Sequence, residues 1–221
     1  MQNFEREIRL IGSERLERLQ NSTVLVMGVG GVGSYAAEAI TRAGVGHITV
    51  MDGDQIAESN LNRQLLALSS NIGESKAEIM AARIRDINPG CDAVAINRYY
   101  GKDDDLNLTE YDWIIDAIDD VDAKVTLIER ANKLGINIIS SMGTAGKLST
   151  EFKIADISKT SVCPLAKVMR KKLREVGIEH LTVVYSEEKA IVENGQLGTI
   201  SYVPATAGLK LAEHVIKEII K

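Results

Sequence analysis

Gly28-Val29-Gly30-Gly31-Val32-Gly33 is the stretch of sequence that decides the fold. It follows the apolar run Thr23–Met27 and precedes a stretch rich in small residues that begins at Ser34. Glycines at 28, 30 and 33 have the spacing that permits a tight turn, close approach of a phosphate and close packing of a helix on a sheet. Phosphate is favoured at the first turn of such a helix because the helix dipole is positive there. The stretch therefore predicts a nucleotide-binding strand–turn–helix, and by itself it does not separate ATP from NAD.

Strand-like and helical patterns alternate around this loop, which predicts βαβ units and a mostly parallel sheet. We expect strands at 23–28, 47–52, 92–97, 112–116 and 136–140, and helices at 14–19, 33–43, 75–87 and 122–134. The later sequence indicates a strand at 153–155, a basic helix from Pro164 to about 176, strands at 181–185 and 199–203, and a C-terminal amphipathic helix.

The fold class is therefore α/β, a Rossmann-like, doubly wound, mostly parallel sheet with a C-terminal α+β extension. We place the nucleotide-binding core, with its N-terminal helical segment, at residues 1–145. The extension at 146–221 is expected to pack on the core and to face the substrate.

The composition excludes several classes of protein. The 221 residues are 45% hydrophobic, enough to bury a full core, and the net charge of −5 gives no general sign of nucleic-acid binding. Cys91 and Cys163 are far apart and form no CxxC pair, so neither a disulfide framework nor a zinc site is indicated. No apolar window reaches the ~18 residues of a membrane span, and no signal peptide is visible. We expect a cytoplasmic protein that does not contact a membrane.

Asp52 closes the second expected strand, at a position where a carboxylate can accept hydrogen bonds from ribose hydroxyls. A plain turn role is the alternative for Asp52. For Asp54, two residues later, a turn role is at least as well supported.

A polar and basic segment follows, with Asn60, Arg63, Gln64 and Lys76. Hydride transfer builds no charge on a phosphate, so a dehydrogenase does not need these cations. Attack at the α-phosphorus of ATP does need them, because Arg63 and Lys76 can neutralise the non-bridging oxygens. Asn60 can hold an oxygen without adding charge. The alternative is that both cations are solvated on the surface.

The fourth expected strand ends at a carboxylate, Asp116, and three more follow it, at Asp119, Asp120 and Asp122. Carboxylates at the C-terminal edge of a parallel sheet, across from a phosphate loop, can hold Mg²⁺. We assign the metal to Asp119 and the capping of the next helix to Asp120 and Asp122.

In this order, the motifs GxGGxG, MDGD, Asn-x-x-Arg-Gln, GESK and DAIDD resemble those of the ThiF/MoeB/HesA superfamily. These ATP-dependent adenylyltransferases are similar to the adenylation domain of ubiquitin-activating enzymes, and the resemblance covers roughly residues 4–145. It implies that Asp52 holds the ribose and Asp119 the Mg²⁺, and that the phosphates lie on Gly28, Gly30, Gly31 and Gly33. It also implies that four polar or basic side chains surround the triphosphate: Asn60, Arg63, Gln64 and Lys76. It also implies a homodimer in which Arg6 reaches the partner's site, so the implied catalytic set is Arg6, Arg63, Lys76 and Asp119.

The rest of the chain narrows the resemblance. Sulfur-carrier adenylyltransferases usually have two zinc-binding CxxC pairs and a reactive cysteine, and this sequence has neither pair. Instead, the chain looks like the tRNA threonylcarbamoyladenosine dehydratase branch in the runs 155–160, 164–166, 184–189 and 203–208. That branch commonly has an acidic residue where this chain has Cys163, which we interpret as an incidental thiol.

That branch closes a ring on a modified adenosine beside the anticodon of tRNA. By resemblance, the threonyl carboxylate attacks the α-phosphorus of ATP, and the ureido nitrogen of the same side chain then displaces AMP to form a hydantoin. Both groups belong to one substrate, so ring closure gains the effective molarity of a held geometry and needs no protein nucleophile. Two points are left open. One is whether a monovalent cation binds, for which the turn at 143–146 is a candidate site, and the other is whether sulfur-transfer proteins are partners.

A basic helix face is the candidate contact for tRNA. On a helix that starts at Pro164, a 3/4 spacing puts four cations on one face: Lys167, Arg170, Lys171 and Arg174. Phosphate contacts from such a face would position RNA without reading its sequence. An ordinary solvated helix face is the alternative.

Three other functions compete with this one. The first is adenylation of the C-terminal glycine of a ubiquitin-like or sulfur-carrier protein, against which the absence of the zinc pairs counts. The second is a dinucleotide-binding oxidoreductase or redox sensor, which leaves Arg63, Lys76 and Asp119 unexplained. The third is a nucleotide-binding scaffold without activity, which leaves the cationic set without a role.

Overall fold

The computed structural model describes residues 4–221. One sheet contains seven strands: β1 (Thr23–Met27), β2 (His47–Met51), β3 (Asp92–Ile96), β4 (Trp113–Asp116), β5 (Asn137–Ser141), β6 (Lys153–Asp156) and β7 (Thr182–Tyr185). The helices are α1 (Glu5–Ile11), α2 (Ser13–Gln20), α3 (Gly33–Arg42), α4 (Lys76–Ile87), α5 (Val121–Leu134), α6 (Pro164–Glu175) and α7 (Tyr202–Ile219). A small separate hairpin consists of β8 (Val192–Glu193) and β9 (Gln196–Leu197).

The order of strands in the sheet is β3-β2-β1-β4-β5-β7-β6. Every pairing is parallel except that of β6 with β7, so the prediction of a mostly parallel, doubly wound sheet is confirmed. The strand order reverses between β1 and β4. In such sheets the crevice outside the carboxyl ends of the strands at this reversal is where ligands bind. The glycine stretch follows β1 and the 117–119 loop follows β4, so both lie at the crevice.

β1 lies at the centre of the core, and its alternate side chains enter two different apolar clusters. Val24 and Val26 pack with the buried faces of α3, α4 and α7, whereas Leu25 and Met27 pack with α5. Because successive side chains of a strand point to opposite faces, helices cover both faces of the sheet. Residues 146–221 contribute β6 and β7 to this sheet and α7 to its cover.

The expected strand at 199–203 is wrong. Thr199 and Ile200 have no regular secondary structure, Ser201 lies in a turn, and α7 begins at Tyr202. The run has β-branched and aromatic residues that favour a strand, but Val203, Ala207, Leu211 and Val215 form a buried helical stripe, and tertiary packing decides the outcome. Pro204 is compatible with the helix because the first-turn N–H groups have no partner within it.

Two elements were not expected from the sequence. The first helical segment is longer than 14–19, since α1 precedes α2 and the two are separated by Gly12. The polar loop after β7 contains the β8–β9 hairpin. Within residues 4–221, none of the helices has both the length and the apolar character needed to cross a bilayer.

Candidate functional site

The turn between β1 and α3 leaves no room for side chains at two of its glycines. A Cβ on Gly33 would lie 1.8 Å from the Gly28 carbonyl oxygen, and a Cβ on Gly28 would lie 2.8 Å from the carbonyl oxygen of Ala117. Gly28 also has a φ of +81°, which favours glycine. In the described part of the chain, the backbone N–H groups of Gly30 and Gly31 donate no hydrogen bond. The turn therefore offers donors to a ligand above α3.

Asp52 fixes the position of this turn relative to the end of β2. Its carboxylate accepts hydrogen bonds at 2.8 Å from the backbone N–H of Val29 and at 2.8 Å from that of Asp54. Burial raises the pKa of Asp52, and the two hydrogen bonds only partly offset that effect.

Asp54 forms an ion pair with Lys76 across the crevice. The Lys76 Nζ lies 2.7 Å from Asp54, and the hydroxyl of Tyr99 donates to the same carboxylate at 2.6 Å. Partial burial raises the pKa of Asp54, but the hydrogen bonds from Lys76 and Tyr99 outweigh it and hold that pKa below its usual range. Lys76 is only 4% exposed. The Asp54 carboxylate thus fixes the position of the buried Lys76 ammonium in the crevice.

The segment 58–64 is ordered by its own polar side chains. The amide oxygen of Asn60 accepts from the N–H of Ala57 at 3.1 Å, and Arg63 Nη1 donates to the carbonyl of Ser59 at 2.6 Å. The side-chain oxygen of Gln64 is buried, and no partner for it occurs among residues 4–221. An orphaned buried oxygen of this kind is an indication of a missing donor.

The carboxylates that follow β4 have different roles. Asp119 is exposed at the crevice, and Asp120 caps α5 by accepting from the N–H of Ala123 at 2.8 Å, as expected. The expected capping role of Asp122 is wrong, because its carboxylate instead lies 2.6 Å from Lys172 Nζ on α6.

A fully buried ion pair beneath this loop was not expected from the sequence. Lys124 Nζ lies 2.9 Å from Asp116 and also donates to the carbonyl of Ile118 at 3.0 Å, and both charged side chains have no exposed surface. Ser140 donates to the same carboxylate at 2.6 Å. The signal was present, since Lys124 occupies the buried stripe of α5 with Leu127, Ile128 and Ala131.

These elements enclose a cavity of about 360 Å³, called here the nucleotide pocket. It is lined by most of the expected site residues, namely Gly28, Gly30, Gly31, Asp52, Asn60, Arg63, Gln64, Lys76 and Asp119. Gly33 lies at the base of the turn and does not line the pocket. Sequence reasoning missed Arg98, Tyr99 and Thr199, which also line it. They lie on loops with no motif that marks them.

The two remaining sets of expected site residues lie elsewhere. Arg6 is exposed on α1. The four cations of α6 line one shallow surface depression together with Glu175. Within this set Arg170 differs, because its guanidinium donates to the carbonyl of Thr160 at 2.8 Å and is half-buried. Among residues 4–221, no group of three or more His, Cys, Asp or Glu side chains is placed to hold a metal ion.

The family model described as ThiF family matches residues 4–221. The chain belongs to the ThiF family. It is 42% identical to the tRNA threonylcarbamoyladenosine dehydratase of Bacillus subtilis over all of this chain and 96% of that protein. Its fold superposes on the crystal structure of the Escherichia coli tRNA N6-threonylcarbamoyladenosine dehydratase in complex with ATP with a TM-score of 0.93, at 34% identity, over 99% of this chain and 94% of that one.

A third relative belongs to the competing functional class. The adenylyltransferase and sulfurtransferase MOCS3 of Drosophila grimshawi is 33% identical over 66% of this chain and 32% of its own length. The similarity to this adenylyltransferase and sulfurtransferase therefore covers a smaller part of the ThiF-family chain than the similarity to the dehydratase of Bacillus subtilis does.

Proposed function

We propose that this protein is an ATP-dependent enzyme that adenylates the carboxylate of threonylcarbamoyladenosine next to the anticodon of tRNA and cyclises it to the hydantoin. The observation that carries the proposal is the nucleotide pocket, in which a glycine turn, Asp52, Arg63, Lys76 and Asp119 face one cavity. Similarity over the whole chain to the dehydratase of Bacillus subtilis supports the same activity.

The residues of the pocket fit ATP. The glycine turn admits no Cβ at two positions, and two of its N–H groups have no acceptor among residues 4–221, which suits phosphate oxygens. The orphaned oxygen of Gln64 can accept a hydrogen bond from a ligand donor such as a ribose hydroxyl. Asp52 is the candidate for the ribose itself, and Asn60, Arg63 and Lys76 for the phosphates. The related Escherichia coli enzyme has been solved with ATP.

Asp119 is the residue that would hold Mg²⁺. One exposed carboxylate suits this ion, which keeps several waters and is commonly bound through one or two carboxylates plus phosphate oxygens. When bound, the ion would neutralise charge on the phosphates. Arg63 and Lys76 would add fixed positive charge where negative charge develops on the α-phosphoryl group.

The reaction has two steps that balance without a protein nucleophile. A carboxylate oxygen of the threonyl group forms a bond to the α-phosphorus, and pyrophosphate leaves. The ureido nitrogen then attacks the activated carbonyl, loses its proton, and releases AMP. The ring closure is intramolecular, so the chain's task is to hold one substrate in a reactive geometry. Burial raises the pKa of the Cys91 thiol to about 11, which makes it a poor nucleophile.

The test is release of pyrophosphate from ATP with tRNA that carries the linear modification, compared with unmodified tRNA. We expect release only with the modified tRNA, and mass spectrometry of the digested nucleoside should show the loss of one water. Release that depends instead on a small carrier protein ending in glycine would favour the competing adenylyltransferase function.

The role of Asp119 is tested by Asp119→Ala. We expect turnover to fall by at least ~100-fold, because the metal loses its carboxylate and the phosphates lose charge neutralisation. Asp103→Ala is the matched control, since Asp103 is exposed and does not line the pocket. Turnover by Asp119→Ala equal to that of the control would show that the metal is bound elsewhere.

A further inference from the structure

Three lysines are buried in the described chain, and one of them differs from the other two. Lys76 and Lys124 each lie within 3 Å of a carboxylate, Asp54 and Asp116 respectively. Lys147 is as buried as Lys76, at 4% exposed, but among residues 4–221 its Nζ donates a hydrogen bond only to the carbonyl oxygen of Glu188, at 2.6 Å. No carboxylate belonging to residues 4–221 forms an ion pair with it.

The carboxylate of Glu188 is engaged elsewhere. Its oxygens accept hydrogen bonds from the backbone N–H groups of Leu148 and Ser149 at 2.9 to 3.2 Å. Lys147 therefore uses one of its three donors, on a neutral acceptor. The Glu188 carboxylate still attracts the ammonium of Lys147 at longer range. Because it forms no ion pair with Lys147, the two remaining N–H donors can bind an anionic ligand.

Lys147 lines a second cavity of about 330 Å³, called here the hairpin cavity. Its walls include the apolar side chains of Leu148, Ile191 and Ile200, and its outer side is formed by the β8–β9 hairpin with the exposed Glu193. The segments that line the cavity are joined by two backbone hydrogen bonds. The N–H of Gly146 donates to the carbonyl of Gly198 at 2.8 Å, and the N–H of Ile191 donates to the carbonyl of Gly146 at 2.7 Å.

The hairpin cavity adjoins the nucleotide pocket. Thr199 lines both cavities. The side-chain amide of Asn62 donates to the carbonyl of Thr199 at 3.0 Å, and Asn62 directly precedes Arg63. A ligand in the hairpin cavity would therefore lie beside the phosphate-binding side of the nucleotide pocket.

We propose that the hairpin cavity receives the carboxylate-bearing aliphatic substituent of the acceptor, and that Lys147 binds its carboxylate. This inference rests on the proposed function, which requires a carboxylate to approach the triphosphate. Two anions repel each other in a site of low dielectric, and a buried ammonium beside the carboxylate offsets that repulsion. The apolar walls suit a methyl-bearing side chain.

The experiment compares Lys147→Met with Lys189→Met, the latter an exposed lysine next to Glu188. Affinity is measured for tRNA with and without the linear modification, with an ATP analogue that cannot release pyrophosphate. We expect Lys147→Met to lose the preference for modified tRNA, with kcat/KM lowered by at least ~10-fold and ATP affinity unchanged. Lys189→Met should change both affinities alike, because its charge can act only on the RNA backbone.

A second measurement separates ligand binding from a structural role. Methionine has a similar length to Lys147, and the change leaves no ion-pair partner buried without its counter-charge, so the melting temperature of Lys147→Met should not fall. Should it fall, Ile200→Trp is the further variant: it fills the hairpin cavity from a half-exposed position and should likewise abolish the preference for modified tRNA.

The outcomes separate the two proposals. Retention of the preference for modified tRNA by Lys147→Met and by Ile200→Trp overturns the inference while the proposed function stands. Equal binding of both tRNAs by the wild type also overturns it. Absence of ATP-dependent loss of water in the wild type overturns the proposed function, and the inference with it.

Discussion

At the scale of single residues, the Asp54 carboxylate holds the ammonium of Lys76 in the nucleotide pocket. The pairing of Lys76 with Asp54 was not expected, because the two are 22 positions apart and only the folded chain brings them within 2.7 Å. Spacing along strands and helices predicts which way a side chain points. This ion pair instead joins the loop after β2 to the first residue of α4, so it depends on how that loop folds.

The pair of Asp54 and Lys76 makes stability depend on pH. A carboxylate whose pKa is lowered in the folded state contributes stability above its unfolded pKa of about 3.9 and loses it as the pH falls through the folded pKa. We expect Asp54→Asn to lower the free energy of unfolding by about 1 kcal/mol at neutral pH, since the half-exposed carboxylate is partly screened. Urea denaturation of both proteins should show this difference shrinking below about pH 4. A difference that stays constant down to about pH 3 would contradict it.

At the scale of elements, the loop between β4 and α5 owes its shape to a charge pair that lies below it. Asp116 accepts from the N–H of Ile118 at 3.1 Å, and Lys124 donates to the carbonyl of the same residue. Ala117 in turn contacts the glycine turn, since a Cβ on Gly28 would meet its carbonyl. The loop that carries Asp119 is thus fixed from beneath by two buried charges.

Removing one partner of this pair should be strongly destabilising. Lys124→Met leaves the Asp116 carboxylate buried without a cation, and we expect a loss of about 3 kcal/mol in the free energy of unfolding. Asp116→Asn combined with Lys124→Met removes both charges and should be less destabilised than the sum of the two single changes. Urea denaturation of the two single variants and the double variant measures this coupling. Additive losses would mean that the two charges do not act as a pair.

Most strands and helices could be predicted to within a residue or two, because their apolar periodicity is strong and long. β1 is expected at 23–28 and observed at Thr23–Met27, and α6 is expected from Pro164 to about 176 and observed to end at Glu175. The errors lie where local propensity opposes tertiary packing. Residues 199–203 favour a strand, yet the burial of α7 against α3 requires a helix that starts at Tyr202.

At the scale of the whole molecule, the nucleotide pocket was predictable because parallel strands end at one edge of the sheet. Asp52 after β2, the glycine turn after β1 and Asp119 after β4 meet there for that reason. The hairpin cavity was not predictable, because it forms between the 146–148 segment and residues 191–200. These are about fifty residues apart and share no periodic pattern.

Contact with tRNA through α6 should be electrostatic. Lys167, Lys171 and Arg174 are exposed, so we expect the triple change to glutamate to weaken tRNA binding by at least ~10-fold and to flatten its dependence on salt. Arg170 is left intact because its guanidinium holds Thr160. Affinity is measured at several salt concentrations, with Lys217→Glu on the exposed end of α7 as the control. Equal salt dependence in both variants would assign the RNA to another face.

Arg6 allows the proposed homodimer to be tested as an assembly. If Arg6 completes the partner's site, Arg6→Ala and Asp119→Ala are each inactive as pure dimers but complement each other when mixed. In a mixed dimer, one site has both an intact Asp119 and an intact Arg6 from its partner, and the other site has neither. Since half of the randomly exchanged dimers are mixed and each has one working site of two, we expect about a quarter of the wild-type activity. Chemical denaturation and refolding of the mixture provides the exchange, and each variant refolded alone is the control. A mixture that stays inactive, with Arg6→Ala alone fully active, would place Arg6 outside the site and leave each subunit complete by itself.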